Sequence, residues 1–273
     1  MKTKKRILAV IGIVCLLLLY LLTFIAAFFK NPAAQQLFRA SLGCTILIPV
    51  FLYLVLMVAR VVRPQKSPVI DTVVFDLGGV LVNFAWEEYA EKRGVSSEDI
   101  AFMQEHIAYS ATWEKFDLGL VSNEEVIEEF CTAYPDYADP IRLVFSSMED
   151  ACSLYWYTLS WVNALIRQGY RVYFLSNWNR RNYELLMESG LLRFTERMKG
   201  GVWSFKEHCI KPHPEIFQIL IERYGIDPGR AVFIDDSEKN VKGARAVGFA
   251  ALRFTSYPDA QEELGKLGVA WRV

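Results

Sequence analysis

Residues 69–86, Val-Ile-Asp-Thr-Val-Val-Phe-Asp-Leu-Gly-Gly-Val-Leu-Val-Asn-Phe-Ala-Trp, constrain the fold of this chain more than any other stretch. Val73, Val74 and Phe75 form a continuous run of β-branched and aromatic residues, the pattern of a strand covered on both faces. Such strands belong to parallel sheets flanked by helices. The run ends at a carboxylate, Asp76, and then at Gly78 and Gly79, which let backbone approach a ligand closely. Open α/β sheets bind ligands at the C-terminal ends of their strands, so Asp76 is the first candidate functional residue.

The pattern repeats downstream. Residues 170–175 read as a strand closing on Ser176 and Asn177, residues 231–234 as one closing on Asp235 and Asp236, residues 250–254 as another, and 201–204 as a shorter one. Helices are predicted at 159–168, stopped by Gly169, and at 179–188; two more follow at 214–224, opened by Pro214, and 238–247, before Gly248. This alternation predicts a Rossmann-like α/β fold with a parallel sheet and right-handed crossovers, built from residues 67–83 and 159–273. Residues 84–158 interrupt it with helical character and little strand signal. Within them a helix at 86–93 ends at Gly94, and Ser96-Ser97-Glu98-Asp99 and Ser122-Asn123-Glu124-Glu125 read as helix starts.

Charge separates a third part. Residues 1–66 hold nine of the 30 Lys and Arg and none of the 31 Asp and Glu, so the remaining residues carry a formal charge of −10. An acidic globule is the wrong sign for a nucleic-acid partner, whose affinity rests on clustered Lys and Arg. Residues 7–29 contain no charge and as a helix would be about 34 Å long, enough for a hydrocarbon core of about 30 Å. A second apolar run covers 42–62, with Pro49 inside it and Arg60 near its end. Two transmembrane helices joined by a short turn are therefore expected, anchoring the chain in a lipid bilayer. Lys2, Lys4, Lys5 and Arg6 before them and Arg60, Arg63 and Lys66 after them outnumber Lys30 and Arg39 between, which places both ends, and the globular part, on the cytoplasmic side. Five cysteines without a CxxC pair suit reduced thiols in a reducing compartment.

The strand carrying Asp76-Leu77-Gly78-Gly79-Val80, Phe174-Leu175-Ser176-Asn177, Lys211-Pro212, and the run from Val232 through Asp235-Asp236 to Val241, in that order, resemble the four motifs of the haloacid dehalogenase superfamily of phosphatases. The likeness spans residues 69–255, and the Asp-Leu-Gly-Gly-Val form with the paired Asp235-Asp236 is most similar to the branch that includes sugar-phosphate phosphatases. It implies that residues 84–158 are a helical cap and that Asp76 is the nucleophile of a magnesium-dependent phosphatase. Ser176, Asn177 and Lys211 would bind the phosphoryl group. Asp76, Asp236 and the Gly78 carbonyl would hold Mg2+, with Asp235 as a ligand or as a partner behind one, and Asn240 would orient a metal-bound water. The substrate would be a small phosphorylated metabolite, a sugar phosphate among the candidates.

One residue departs from the pattern. Gly78 stands where most phosphatases of the superfamily have an Asp that protonates the leaving group, a role worth about 10²- to 10⁴-fold in rate. Trp113, Glu114, Phe116, Asp117 and Gly119 are expected at a break between cap helices, where relatives present residues to substrate, and Glu114 or Asp117 could supply the missing acid. Two other functions share these residues. A dehalogenase also uses an Asp nucleophile, but has no use for the pair Asp235-Asp236, and a non-catalytic tethered binding protein would keep the scaffold alone. His106, His208 and His213 show no ligand spacing.

Overall fold

The structure, a computed structural model, describes residues 69–270 except Tyr109, with scattered positions between 18 and 57. The chain divides into two compact units, Met1–Lys66 and Ser67–Val273. In the first, described helical positions leave Leu18, Phe24, Leu47, Phe51 and Tyr53 exposed. The spans expected at 7–29 and 42–62 lie largely outside the described residues, and among those described no helix is long and apolar enough to cross a membrane.

The second unit is an α/β fold. Its strands are β1 (Thr72–Phe75), β2 (Val82–Phe84), β3 (Cys152–Leu154), β4 (Arg171–Ser176), β5 (Gly200–Trp203), β6 (Ala231–Asp235) and β7 (Ala250–Arg253). Five of them form one parallel sheet in the order β5-β4-β1-β6-β7. The strand that carries Asp76 is thus the middle one, buried at every residue. Phe75 is level with Phe174 on one side and Ile234 on the other, so the residues after them emerge together on one rim.

Between β2 and β3 the cap carries helices α1 (Trp86–Lys92), α2 (Ser97–His106), α3 (Ala111–Asp117), α4 (Asn123–Ala133) and α5 (Ala138–Ser146). After it come α6 (Thr158–Arg167), α7 (Arg180–Glu188), α8 (Ser204–Glu207), α9 (Pro214–Tyr224), α10 (Glu238–Ala246) and α11 (Tyr257–Lys266). Local chemistry sets several of these ends. Ser122 Oγ accepts from Glu125 N while the Glu125 carboxylate accepts from Ser122 N, and Asn179 caps α7 through Asn182 N. Pro214 opens α9 and Gly225, in the left-handed region, closes it.

Three apolar clusters hold the unit together. One face of the sheet packs Phe75, Phe174 and Ile234 against Trp161 of α6; the other packs Val74 and Phe233 against Phe217 of α9. The cap has its own core around Phe116, Phe130 and Phe145.

Where the structure differs from the sequence reading, the reasons are local. β2 and β3 form an antiparallel pair at the base of the cap, and three residues each are too few to show a period. Residues 111–117 are a helix, not a break, which comes only at Leu118 and Gly119. Residues 138–146 are also helical, with Pro140 in the first turn of α5, where its missing N–H is not needed. Cys131, Cys152 and Cys209 are free thiols.

Trp161 is fully buried, its ring edge-on to Phe75 at 4.8 Å, edge-to-face with Tyr157 and Tyr257 and tilted against Phe254. Trp161→Ala is expected to lower the unfolding free energy of this unit by about 3–5 kcal/mol. Urea titration followed by near-UV circular dichroism checks it; a loss below 1 kcal/mol, on the order of a surface substitution, would contradict the packing described.

Candidate active site

The rim of the sheet gathers the candidate residues around one buried ammonium group. Lys211 is 1 % exposed, and its Nζ lies 2.8 Å from Asp76 Oδ1 and 2.7 Å from Asp235 Oδ2. A buried lysine demands this arrangement, because an unpaired charge away from water is too costly to keep. Burial opposes its charge, but Asp235 and Asp76 outweigh that and hold it above the ordinary lysine range.

Asp76 is fixed by three donors on one oxygen. Leu77 N donates to Oδ1 at 2.7 Å, Ser176 Oγ at 3.0 Å, and Lys211 Nζ makes the third contact. Burial, reinforced by Asp235 and Asp236, pushes the Asp76 carboxyl well above the usual carboxylate range despite Lys211. Asp236, just past the end of the neighbouring strand β6 on the same rim, is raised for the same reasons, burial first and Asp235 next.

Asp235 is fully buried and its oxygens are committed. Oδ2 accepts from Lys211, Oδ1 accepts from Ser237 N at 2.9 Å, and Asn240 Nδ2 donates to both. It stands behind Lys211 and holds the ammonium toward Asp76. Asn177, expected to touch substrate, instead ties two motifs together: its Oδ1 accepts from Lys211 N at 2.8 Å and its Nδ2 donates to Lys211 O at 3.1 Å. It still lines the cavity, but its amide is spent on placing Lys211.

That cavity, about 550 Å³, opens between rim and cap. Asp76, Gly78, Lys211, Asp236 and Asn240 line its floor, and Trp86, Trp113, Asp117 and Met148 of the cap face them. Glu114, expected here, is exposed on α3 and lies outside the lining, whereas Asp117, one turn on, belongs to it. Trp178 and Lys239 also line it and were missed in the sequence. Their only signal was adjacency, Trp178 following Ser-Asn and Lys239 following Asp-Asp-Ser-Glu.

Oxygen atoms of Asp76, Asp235 and Asp236 all lie within 4.8 Å of one another. One ammonium cannot balance three carboxylates, so the floor carries excess negative charge. A magnesium ion fits this set of hard oxygen donors. Gly79 has φ +71, and any Cβ there would collide with the Asp236 carboxylate, so backbone is drawn close against the acidic pair. Asn240 Oδ1 is buried with no hydrogen-bond partner among the described residues, an acceptor available to a hydrated cation.

Lys211→Met should strand Asp235 as a buried uncompensated charge and lower the unfolding free energy by about 3–5 kcal/mol, read by urea denaturation. Adding Asp235→Asn should recover part of the loss. If the double variant is no more stable than Lys211→Met, the pairing does not carry the energy assigned to it.

Comparison with known proteins follows the same residues. The family model for haloacid dehalogenase-like hydrolases (HAD) matches residues 70–248. The chain is similar to acyl-CoA dehydrogenase family member 10 of Mus musculus, 28% identical over 71% of this chain but only 19% of that much longer protein. It is similar to the sesquiterpene phosphatase astK of Aspergillus oryzae, 25% identical over 67% of this chain and 88% of that one. A HAD family enzyme from Bacteroides thetaiotaomicron, solved as a magnesium complex, superposes with a TM-score of 0.53 at 25% identity, over 71% of this chain and 98% of that one. With its four motifs on one rim of a parallel sheet, this chain belongs to the haloacid dehalogenase-like hydrolases.

Proposed function

We propose that the chain is a magnesium-dependent phosphatase that hydrolyses a small phosphorylated metabolite through an aspartyl-phosphate intermediate. The observation that carries this reading is the Asp76 carboxylate, oriented by Leu77 N, Ser176 and Lys211 and facing a cavity that Asp236 also lines. Phosphoryl transfer needs little else than a positioned nucleophile and positive charge on the phosphoryl oxygens.

In this reading Asp76 attacks phosphorus and forms the acyl phosphate, which water then hydrolyses. Ser176 and Lys211 hold the nucleophile and offer a hydroxyl and an ammonium to the phosphoryl oxygens. Asp76, Asp236 and the Gly78 carbonyl hold Mg2+, which when bound neutralises the excess charge of the floor and polarises the phosphoryl group. Asp235 keeps Lys211 in place behind them. The likeness to a sesquiterpene phosphatase and the resemblance to sugar-phosphate phosphatases point to leaving groups of different polarity, so the class is set here at phosphate monoesters that fit under the cap. Metal-free displacement of halide is disfavoured by the acidic pair, and a purely binding role by the intact set around Asp76.

We further propose that residues 7–29 and 42–62 anchor the chain in a bilayer with the hydrolase unit on the cytoplasmic side. The charge asymmetry of the flanks and the exposed apolar side chains of the first unit support this. The full chain is then expected in the membrane fraction after an alkaline carbonate wash; release by the wash would refute the anchor.

Asp76→Asn is expected to abolish magnesium-dependent release of phosphate from p-nitrophenyl phosphate while the circular dichroism spectrum is unchanged. Chelation by EDTA should silence the unaltered protein, and Mg2+ should restore it. Undiminished turnover in Asp76→Asn would end the assignment.

A further inference from the structure

The phosphatase reading leaves a gap at Gly78, which carries no acid. A Cβ there would meet Cζ3 of Trp178 in ordinary contact at 3.6 Å, and Trp178 lines the cavity beside it.

An acid does reach the cavity from the cap. Asp117 ends α3, lines the cavity opposite Asp76, and receives a hydrogen bond on Oδ2 from Trp113 Nε1 at 3.1 Å. Its main chain is pinned to the catalytic rim. Ser204 Oγ donates to Asp117 O at 2.6 Å and accepts from Trp178 N at 2.9 Å, while His208 Nδ1 lies 2.9 Å from Leu118 O. Gly119, with φ +67, lets the chain turn away at once; a Cβ there would stand 2.7 Å from Phe205 O. The cap residue that bears the acid is therefore held against the loop that carries Trp178.

We propose that Asp117 is the catalytic residue that protonates the leaving group in place of an acid at position 78. This rests on the phosphatase reading. In the first half-reaction the Asp76 carboxylate forms a bond to phosphorus as the bond from phosphorus to the ester oxygen breaks. The electron pair stays on that oxygen, which takes the proton from the Asp117 carboxyl; the products are aspartyl phosphate, an alcohol and the Asp117 carboxylate. In the second, Asp117 accepts a proton from water as the water oxygen bonds to phosphorus and Asp76 is released as carboxylate, with inorganic phosphate.

Its surroundings suit the role. Burial raises the Asp117 carboxyl to about 7, against the hydrogen bond from Trp113 and the charge of Lys211 and Lys239, while Glu114 on the same helix pushes it up. The acid is thus still protonated near neutrality, where a general acid works best.

The experiment compares two substrates in wild type and Asp117→Asn, with Mg2+ present. Glycerol phosphate needs its alkoxide protonated, and p-nitrophenyl phosphate does not need its phenolate protonated. The quantity read is kcat/KM, which is set by the first half-reaction and so excludes the role of Asp117 as base. In Asp117→Asn it should fall about 10²- to 10⁴-fold for glycerol phosphate and by less than about tenfold for p-nitrophenyl phosphate. Asp117→Glu should regain part of the loss on glycerol phosphate. Wild-type kcat/KM on glycerol phosphate should decline above pH about 7, as the acid loses its proton. Equal losses on both substrates, or no loss on glycerol phosphate, overturn the proposal while leaving the phosphatase reading standing. A wild-type protein inert on both substrates overturns the two together. Should Asp117→Asn fail to fold, the wild-type profiles decide: a decline above neutrality with glycerol phosphate alone supports the proposal, and the same profile for both substrates sinks it.

Discussion

The buried ammonium group of Lys211, held between Asp76 and Asp235, is the contact on which the site depends. Two carboxylates from neighbouring strands, β1 and β6, would repel one another at this depth; the lysine converts that repulsion into a fixed distance. Ser176 from β4 completes the grip on Asp76, and Asn177 beside it clamps the lysine backbone. Three strand ends and one loop are thereby locked together by side chains that meet at the cavity floor. Such buried pairs contribute little net stability, so their value lies in geometry held before substrate arrives.

Most of the sheet was legible in the sequence because its strands are covered on both faces. Continuous runs such as Val73-Val74-Phe75 and Val232-Phe233-Ile234 have no other plausible home than a buried parallel strand, and the residue after each run falls on the rim by construction. Asp76, Ser176 and the Asp235-Asp236 pair could be placed at strand ends this way, whereas Lys211 was singled out by the Lys-Pro pair of the family resemblance. What periodicity could not carry is the orientation of side chains within a loop. Asn177 and Asp235 sit in the motifs as expected, yet hydrogen bonding turns both toward Lys211. The cap is harder still. Glu114 and Asp117 lie three residues apart on one short helix, and only the rotation of α3 against the rim decides that the second faces the cavity and the first faces solvent.

The rim also shows how a missing side chain and an added one answer each other. Gly78 leaves backbone next to the nucleophile, and Trp178 closes over it from the next loop; Ser204 then joins Trp178 to the end of α3. The consequence is a cap surface and a core loop that share hydrogen bonds at the very place where proton transfer would occur.

The antiparallel pair of β2 and β3 gives this arrangement a further property. The chain leaves the sheet domain along Val82–Phe84 and comes back along Cys152–Leu154, side by side, so both attachment points of the cap are neighbours. A segment inserted in this way is topologically a bead on a closed loop: its size and internal helices can change without moving the five strands below. Lineages can therefore exchange the upper wall of the cavity, and with it the shape offered to a ligand, while inheriting the acidic floor unaltered.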